Sequence, residues 1–270
     1  MAPLPVPPEF SALHRGGDPG GEPLVLLHGF TDTWRTWELV LPALEARYAV
    51  LAPTLPGHAG GPALPDAVTI DGLLDGFEAW MDEQGLATAH LVGNSLGGFL
   101  ALALAARGRA RSVVALAPAG GWASEDPAQT RVLGEFRITH RLVSAALPFV
   151  DRLLATPEGR RRATELIVVA YEHLPVELLV HQVHGVARCA VEPLVALALR
   201  DGWPLDLAAI DCPVRIAWGT EDRLLAWPSA AARFRDGLPT ADWVVLDDVG
   251  HCPQLDRPAE TAQLVLGHVG

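Results

Sequence analysis

One serine stands between glycines in the segment Gly93-Asn94-Ser95-Leu96-Gly97. A serine hydroxyl becomes an effective nucleophile when a nearby base removes its proton. Apolar residues 89–92 precede the segment and a run rich in alanine and leucine follows it, so the pattern predicts a tight turn from a strand into a helix. Such a turn exposes Ser95, and the first amides of the following helix can stabilise an oxyanion.

We predict that the base for this serine is His251, one of ten histidines in the chain. The segment Gly250-His251-Cys252 follows a predicted strand at residues 242–246 and precedes the last predicted helix. The carboxyl ends of parallel strands meet at one edge of a sheet, where α/β proteins build their sites. His251 is therefore expected at the same edge as Ser95.

An acid must orient this histidine, and Asp222 is the strongest candidate. It follows a predicted strand at residues 214–218 and lies between the serine and the histidine in chain order. Glu221, Asp247 and Asp248 are weaker candidates by position.

Short apolar runs alternate with longer amphipathic ones, which predicts an α/β fold with a mainly parallel central sheet and helices on both faces. Strands are predicted at residues 23–27, 48–52, 89–92, 112–116, 214–218 and 242–246, and helices at residues 34–46, 70–84, 96–107, 229–237 and 258–268.

Between residues 121 and 205 no strand pattern occurs. Thr156-Pro157-Glu158 is a typical helix start, and four prolines are expected to divide the stretch into short helices: Pro148, Pro175, Pro193 and Pro204. The sequence therefore predicts one core domain from residues 1–120 and 206–270, with residues 121–205 inserted as an all-helical cap.

Taken together, these segments resemble the α/β-hydrolase superfamily, and the resemblance covers essentially the whole chain. It is closest to the single-chain serine hydrolases and carboxylesterases that carry a helical cap. The motifs that carry it are, in chain order, His28-Gly29-Phe30, Leu55-Pro56-Gly57-His58, residues 93–98, residues 219–222 and Gly250-His251. The resemblance implies that the backbone amides of Phe30 and Leu96 form the oxyanion hole.

The expected reaction is a two-step hydrolysis through an acyl-enzyme. Ser95 attacks a carbonyl while His251 takes its proton, Asp222 orients the histidine, and water then releases the acid. No metal and no organic cofactor is expected. The apolar composition and the cap favour a small-molecule carboxylic ester with small or medium apolar groups.

Other hydrolytic reactions use the same residues and stay open, namely those of lactonases, monoacylglycerol lipases and perhydrolases. Epoxide hydrolases and haloalkane dehalogenases share the architecture but use an aspartate nucleophile, so Ser95 argues against both. Hydrolases of carbon–carbon bonds often carry tryptophan after the histidine, where this chain has Cys252. A ligand receptor with slow turnover is less favoured, because nothing in the sequence indicates a partner surface.

Several other residues have simpler interpretations. Trp122 is placed either in the substrate pocket or in packing between core and cap, and the sequence does not locate Phe136, His140 or Phe149. His58 is expected to fix its loop by a hydrogen bond, and Cys252 to fill space beside His251. His181 and His184 share a helix face but lack further ligands, so a metal site is not expected.

The composition excludes some classes of protein. A formal net charge of −12 argues against binding to nucleic acid, which requires a basic surface. The three cysteines are too few and too scattered for a disulfide framework, so we expect reduced thiols and a cytoplasmic location. Neither a secretory leader nor a membrane span is expected, and the oligomeric state stays open.

Overall fold

The computed structural model describes residues 8–123 and 126–269. Its centre is a seven-stranded sheet with the order β1-β3-β2-β4-β5-β6-β7, in which β1 is antiparallel to β3 and the remaining pairs are parallel. The strands are β1 (Leu13–Gly16), β2 (Pro23–Leu27), β3 (Ala49–Pro53), β4 (Ala89–Asn94), β5 (Ala110–Leu116), β6 (Val214–Gly219) and β7 (Asp242–Leu246). The predicted fold class is confirmed.

Helices cover both faces of this sheet. The α-helices are α1 (Leu41–Glu45), α2 (Ile70–Glu83), α3 (Leu96–Ala106), α4 (Ala128–Ala146), α5 (Val150–Leu154), α6 (Pro157–Thr164), α7 (Val176–Arg188), α8 (Val191–Asp201), α9 (Ala232–Gly237), α10 (Pro253–Asp256) and α11 (Pro258–Val269). Alternate strand residues point to opposite layers, so that Leu91 packs with α2 and α3, while Val92 packs with α1 and α11. Apolar burial on both faces explains why the strands are nearly continuous hydrophobic runs.

The order of the strands reverses at the centre of the sheet. The chain passes from β2 to β3 on one side and then returns to place β4 on the other side of β2. The segments that follow β2 and β4 therefore meet at a crevice, which is where open α/β sheets bind ligands. These segments begin with His28 and Ser95.

Two local expectations were wrong or incomplete. The continuous helix predicted over residues 34–46 is a short 3₁₀ turn, Trp34–Trp37, followed by α1. Pro42 lacks an amide hydrogen and its ring clashes with the preceding helical turn, so it is accommodated at the start of α1 and not within a longer helix. The edge strand β1 was not predicted, because its four residues include polar His14 and Arg15.

Helices α4 to α8 lie between β5 and β6, and among the described residues of this stretch there is no strand. We call α4 to α8 and their connections the helical insertion. Thr156 caps α6 as predicted, with its hydroxyl oxygen accepting a hydrogen bond from the Gly159 amide. Pro193, however, does not separate two helices: it lies in the first turn of α8, where a missing amide hydrogen costs nothing.

No helix within residues 8–123 and 126–269 is both long enough and apolar enough to cross a membrane.

Candidate active site

Ser95 occupies the turn between β4 and α3, with φ of 55° and ψ of −114°. This left-handed region is unfavourable for a residue with a side chain, at a cost of about 1–3 kcal/mol. Backbone hydrogen bonds hold it there: the Ser95 amide donates to the Leu116 carbonyl at 2.9 Å, and the Ser95 carbonyl accepts from Ala119 at 3.0 Å. The neighbouring strand thus fixes the serine in a strained turn, as a nucleophile elbow requires.

The glycines around Ser95 are required by close backbone contacts. A Cβ atom on Gly93 would overlap the Gly97 carbonyl, and a Cβ on Gly97 would overlap the Leu27 carbonyl and lie 2.7 Å from the carbonyl oxygen of His28. The turn can therefore approach the end of β2 only with glycine at these positions.

Asp222 and His251 form a buried pair at the ends of β6 and β7. Asp222 Oδ2 lies 2.7 Å from His251 Nδ1, and the two side chains are 0% and 3% exposed. Asp222 Oδ1 accepts hydrogen bonds from the amides of Leu224 and Leu225 at 2.9 and 2.7 Å. Since a carboxylate can only accept, Nδ1 carries the proton, and Nε2 of the neutral ring is left as a potential base.

The histidine loop is tied directly to the serine turn. Asn94 Nδ2 donates to the carbonyl oxygens of His251 and Leu116, at 3.0 and 3.1 Å. Its Oδ1 accepts from Gln254 Nε2 at 3.1 Å, and the Cys252 thiol lies 3.4 Å away. Cys252 is buried, as expected, and burial raises the pKa of its thiol. Asn94 therefore holds the loop of His251 next to β4, the strand that ends directly before Ser95.

A second anchor of this loop is the buried carboxylate of Asp256. Its Oδ2 accepts from the amides of Gly250 and Val169 at 2.6 and 2.9 Å, and its Oδ1 accepts from Ala170 at 2.7 Å. The Cys252 amide also donates to the carbonyl of Ile167 at 2.8 Å. Residues 167–170 belong to the helical insertion, so these bonds join it to the histidine loop.

The loop after β2 lies against Ser95. A Cβ atom built on Gly29 would be 3.4 Å from Ser95 Cβ. His28 stiffens this loop, because its Nδ1 donates to the Gly29 carbonyl at 2.7 Å and its Nε2 accepts from the Leu55 amide at 2.9 Å. Burial keeps the pKa of His28 well below its ordinary value, so the ring stays neutral in this role.

Phe30 and Leu96, the two predicted oxyanion donors, line a cavity that Ser95 also lines. The Phe30 amide follows Gly29 and donates to no partner within the described part of the chain. The Leu96 amide is the first of α3 and has no partner inside the helix. Both amides are available to a ligand.

Two cavities meet at Ser95, and Phe30 and Phe136 also border both of them. The first cavity is almost entirely apolar. Trp122 lines it, 6% exposed, together with residues from α2, α4 and α8. Trp203 also lines the first cavity. Phe149 is 55% exposed and lines neither cavity. The remaining members of its wall include Leu55, Ile70, Leu73, Phe77, Leu100, Val132, Leu133, Leu194 and Leu197.

The second cavity encloses about 160 Å³ and contains His251. Its wall is mixed, with Val183 and Leu179 from α7 beside the polar side chains of Asp32 and Gln182. Asp32 is half-buried and borders this cavity. Burial raises the pKa of Asp32 to about 6, although hydrogen bonds from Thr33, Thr36 and Gln182 oppose that shift.

The other histidines considered in the sequence have structural partners. His58 Nδ1 donates to the Pro56 carbonyl at 3.0 Å, which confirms its predicted role in the loop, and burial lowers its pKa to about 4. His181 Nε2 bonds the Thr33 hydroxyl at 3.0 Å, and His184 lies beside Arg188. Across residues 8–123 and 126–269, no group of three or more histidine, cysteine or acidic side chains is arranged to bind a metal.

Sequence reasoning did not single out four polar residues of the site. Asn94 lies inside the serine motif and Asp32 four residues after His28, so proximity to a motif was the available signal for both. Asp256 and Gln182 carry no such signal, since only the folded chain brings them to the site.

Comparison with known proteins agrees with this architecture. The model of the alpha/beta hydrolase family matches residues 24–264. The chain is 33% identical over 199 residues to the epoxide hydrolase EphH of Mycobacterium tuberculosis, a match that covers 73% of this chain and 93% of the relative. It is 30% identical over 256 residues to the pimeloyl-[acyl-carrier protein] methyl ester esterase of Aromatoleum aromaticum, covering 90% of this chain and 96% of that esterase.

Among solved structures, the 2-hydroxy-6-oxo-6-phenylhexa-2,4-dienoate hydrolase of Rhodococcus sp. strain RHA1 superimposes with a TM-score of 0.74. The match covers 95% of this chain and 93% of that hydrolase. At 22% sequence identity it shows that the two chains share the fold. The family model spans most of the chain, and the two relatives named above are an epoxide hydrolase and an esterase. The chain belongs to the alpha/beta hydrolase family and is a hydrolytic enzyme.

Proposed function

We propose that this protein is a serine hydrolase that cleaves small-molecule carboxylic esters. Ser95 attacks the ester carbonyl, His251 takes its proton, and Asp222 keeps the histidine in the required tautomer. The amides of Phe30 and Leu96 bind the oxyanion, and water activated by His251 then releases the acid from the acyl-enzyme.

The observation that carries this proposal is the orientation of His251 beside the strained serine turn. The bond from Nδ1 to Asp222 leaves Nε2 as the basic atom, and Nε2 is buried with no hydrogen-bond partner among the described residues. Ser95 and His251 line the same cavity. A neutral imidazole with a free nitrogen, held beside a serine, is the arrangement that general-base catalysis requires.

The positions of the two cavities support a direction for the substrate. His251 must return its proton to the oxygen of the leaving alcohol, and His251 lines the second cavity but not the first. We therefore place the alcohol portion in the second cavity and the acyl chain in the apolar first cavity. Trp122 becomes part of the acyl site, and residues 121–205 become the cap over both cavities.

Serine chemistry favours an ester over an epoxide, although one relative is named an epoxide hydrolase. Attack of the Ser95 oxygen on an epoxide carbon would give an ether, which water activated by a histidine does not cleave. Attack on an ester carbonyl gives an acyl-enzyme, which water does cleave. We retain ester hydrolysis as the function.

The test compares the wild type with Ser95→Ala. p-Nitrophenyl butyrate is the ester substrate, styrene oxide is the epoxide, and a vinylogous diketone represents the carbon–carbon reaction. We expect many turnovers of the ester by the wild type and a loss of about 10⁴-fold or more in kcat for the variant. Ser229→Ala, at an exposed position outside the two cavities, serves as the matched loss of a hydroxyl and should retain activity.

Other outcomes of this assay would point to other functions. A single burst of one equivalent would indicate a slow receptor, and turnover of the epoxide or the diketone with little ester hydrolysis would replace the proposed substrate class. Ester turnover that survives in Ser95→Ala would remove Ser95 from the mechanism.

A further inference from the structure

Asp32 is a carboxylate without a counter-ion on the wall of the second cavity. It forms no salt bridge within residues 8–123 and 126–269, although the chain carries 20 basic side chains. Its hydrogen-bond partners are the Thr33 amide at 2.8 Å from Oδ1, Gln182 Nε2 at 3.1 Å from Oδ2, and the side chain of Thr36. A carboxylate offers about four acceptor positions, so Asp32 keeps acceptor capacity toward the cavity.

The location of Asp32 differs from that of the other buried acids of the site. Asp222 is bonded by His251 and two amides, and Asp256 by three amides, which explains both as parts of the framework. Asp32 alone of these three borders a cavity. A charge kept on a cavity wall at the cost of burial is expected where a ligand can bond to it.

The proposed direction of the substrate determines which part of it would reach Asp32. That direction places the alcohol portion in the second cavity, beside His251. Gln182 and the aliphatic residues of α7 form the same wall as Asp32, so an alcohol group bound in this cavity lies between Ser95 and that wall. The polar end of that wall offers a hydrogen-bond acceptor and no cation.

We propose that Asp32, supported by Gln182, is a specificity-determining residue that accepts a hydrogen bond from a hydroxyl on the alcohol portion of the substrate. The preferred substrates are then monoesters of small diols or polyols with an apolar acyl chain. This inference rests on the proposed ester hydrolysis and adds the identity of the leaving group.

The experiment uses two esters that differ by one group. In 2-hydroxyethyl hexanoate and n-propyl hexanoate, a hydroxyl replaces a methyl group at the same position. We expect the wild type to favour the hydroxyl ester about tenfold in kcat/KM, mainly through KM. Asp32→Leu should bring the ratio close to one, and Asp32→Asn should give an intermediate ratio because its amide oxygen still accepts a hydrogen bond. The ratio within one variant does not depend on how much of the protein is folded. Asp66→Asn, at an exposed loop position, is the matched control and should keep the wild-type ratio.

A second pair of esters separates a hydrogen bond from attraction to charge. Hexanoylcholine, the hexanoate ester of choline, and 3,3-dimethylbutyl hexanoate have the same shape. The quaternary ammonium of hexanoylcholine carries a positive charge but has no hydrogen to donate. A preference confined to the choline ester would overturn the proposal, as would a hydroxyl preference that persists in Asp32→Leu or is absent from the wild type. If Ser95→Ala hydrolyses these esters as fast as the wild type, the proposed function fails instead.

Discussion

Asp222 Oδ2 accepts a hydrogen bond from His251 Nδ1 at an N···O distance of 2.7 Å, while Oδ1 of the same carboxylate accepts from two backbone amides. The two carboxylate oxygens of Asp222 therefore have different roles. One is fixed by the backbone, and the other sets the tautomer of the histidine.

Asp222→Asn should keep the fold and lose most of the activity. The Asn carbonyl can replace Oδ1 toward the two amides, which turns its NH₂ group toward His251 Nδ1. That nitrogen must then accept, so Nε2 carries the proton and cannot act as a base. We expect kcat for p-nitrophenyl butyrate to fall by about 10⁴-fold. Glu221→Gln, at the exposed adjacent position, is the control, and an equal loss there would contradict the role of Asp222.

Gly97→Ala and Gly76→Ala should change stability in opposite directions. A methyl group at position 97 meets the backbone of Leu27 and His28, which cannot move without displacing β2, so we expect a loss of about 3 kcal/mol or more. At Gly76, inside α2, a Cβ has no neighbour within 4 Å, and alanine should stabilise by about 0.5–1 kcal/mol. Urea unfolding of both variants measures the difference, and equal effects would argue against the close approach at the turn.

Asp256→Ala should weaken both stability and catalysis. The substitution removes the acceptor of three amides, of which that of Gly250 is buried and those of Val169 and Ala170 are partly buried, and it releases the loop that carries His251. A buried amide left without an acceptor costs about 1–3 kcal/mol. We expect the free energy of unfolding to fall by about 3 kcal/mol or more, and kcat to fall even at temperatures where the variant is fully folded. Asp236→Ala, on the exposed side of α9, should change neither quantity.

Asp32→Asn should make stability less sensitive to pH. The pKa of Asp32 in the folded protein is about 6, above its ordinary value of 3.8. A raised pKa means that Asp32 favours folding below about pH 4, and this contribution is lost as the pH rises through 6. The stability of the variant relative to the wild type should therefore increase by about 2–3 kcal/mol between pH 4 and pH 7.5. Denaturant unfolding at both pH values measures it, and a constant difference would show that Asp32 titrates normally.

Much of the sheet could be predicted because its strands are apolar runs bounded by glycine and proline. Ser95, Asp222 and His251 stood out for the same reason: each follows such a run, and parallel strands bring their ends to one edge. The edge strand β1 gave no such signal, since a strand exposed on one side need not be apolar. The continuous helix expected over residues 34–46 does not form, because the spacing of its apolar residues does not reveal the steric restriction that the ring of Pro42 imposes.

The residues that escaped prediction act through distant parts of the chain. Asp256 bonds residues 169 and 170, more than eighty positions away, and Asp32 meets Gln182 across 150 positions. Apart from the position of Asp32 four residues after His28, nothing in the local sequence distinguishes these side chains from solvated ones. Their function depends on burial and on a cavity, which become visible only in three dimensions.

The bonds that end on Asp256 have a consequence for how a substrate gets in. Three amides from two segments converge on one carboxylate, so residues 169 and 170 of the helical insertion and the loop that carries His251 share one attachment. We expect any movement of the insertion that admits a substrate to keep these bonds, because breaking them would leave three amides without an acceptor. The contact between Phe136 of α4 and Phe30 involves only their rings, which lie 4.7 Å apart, and would separate at lower cost. The shared attachment would then hold His251 in place while a substrate enters and a product leaves.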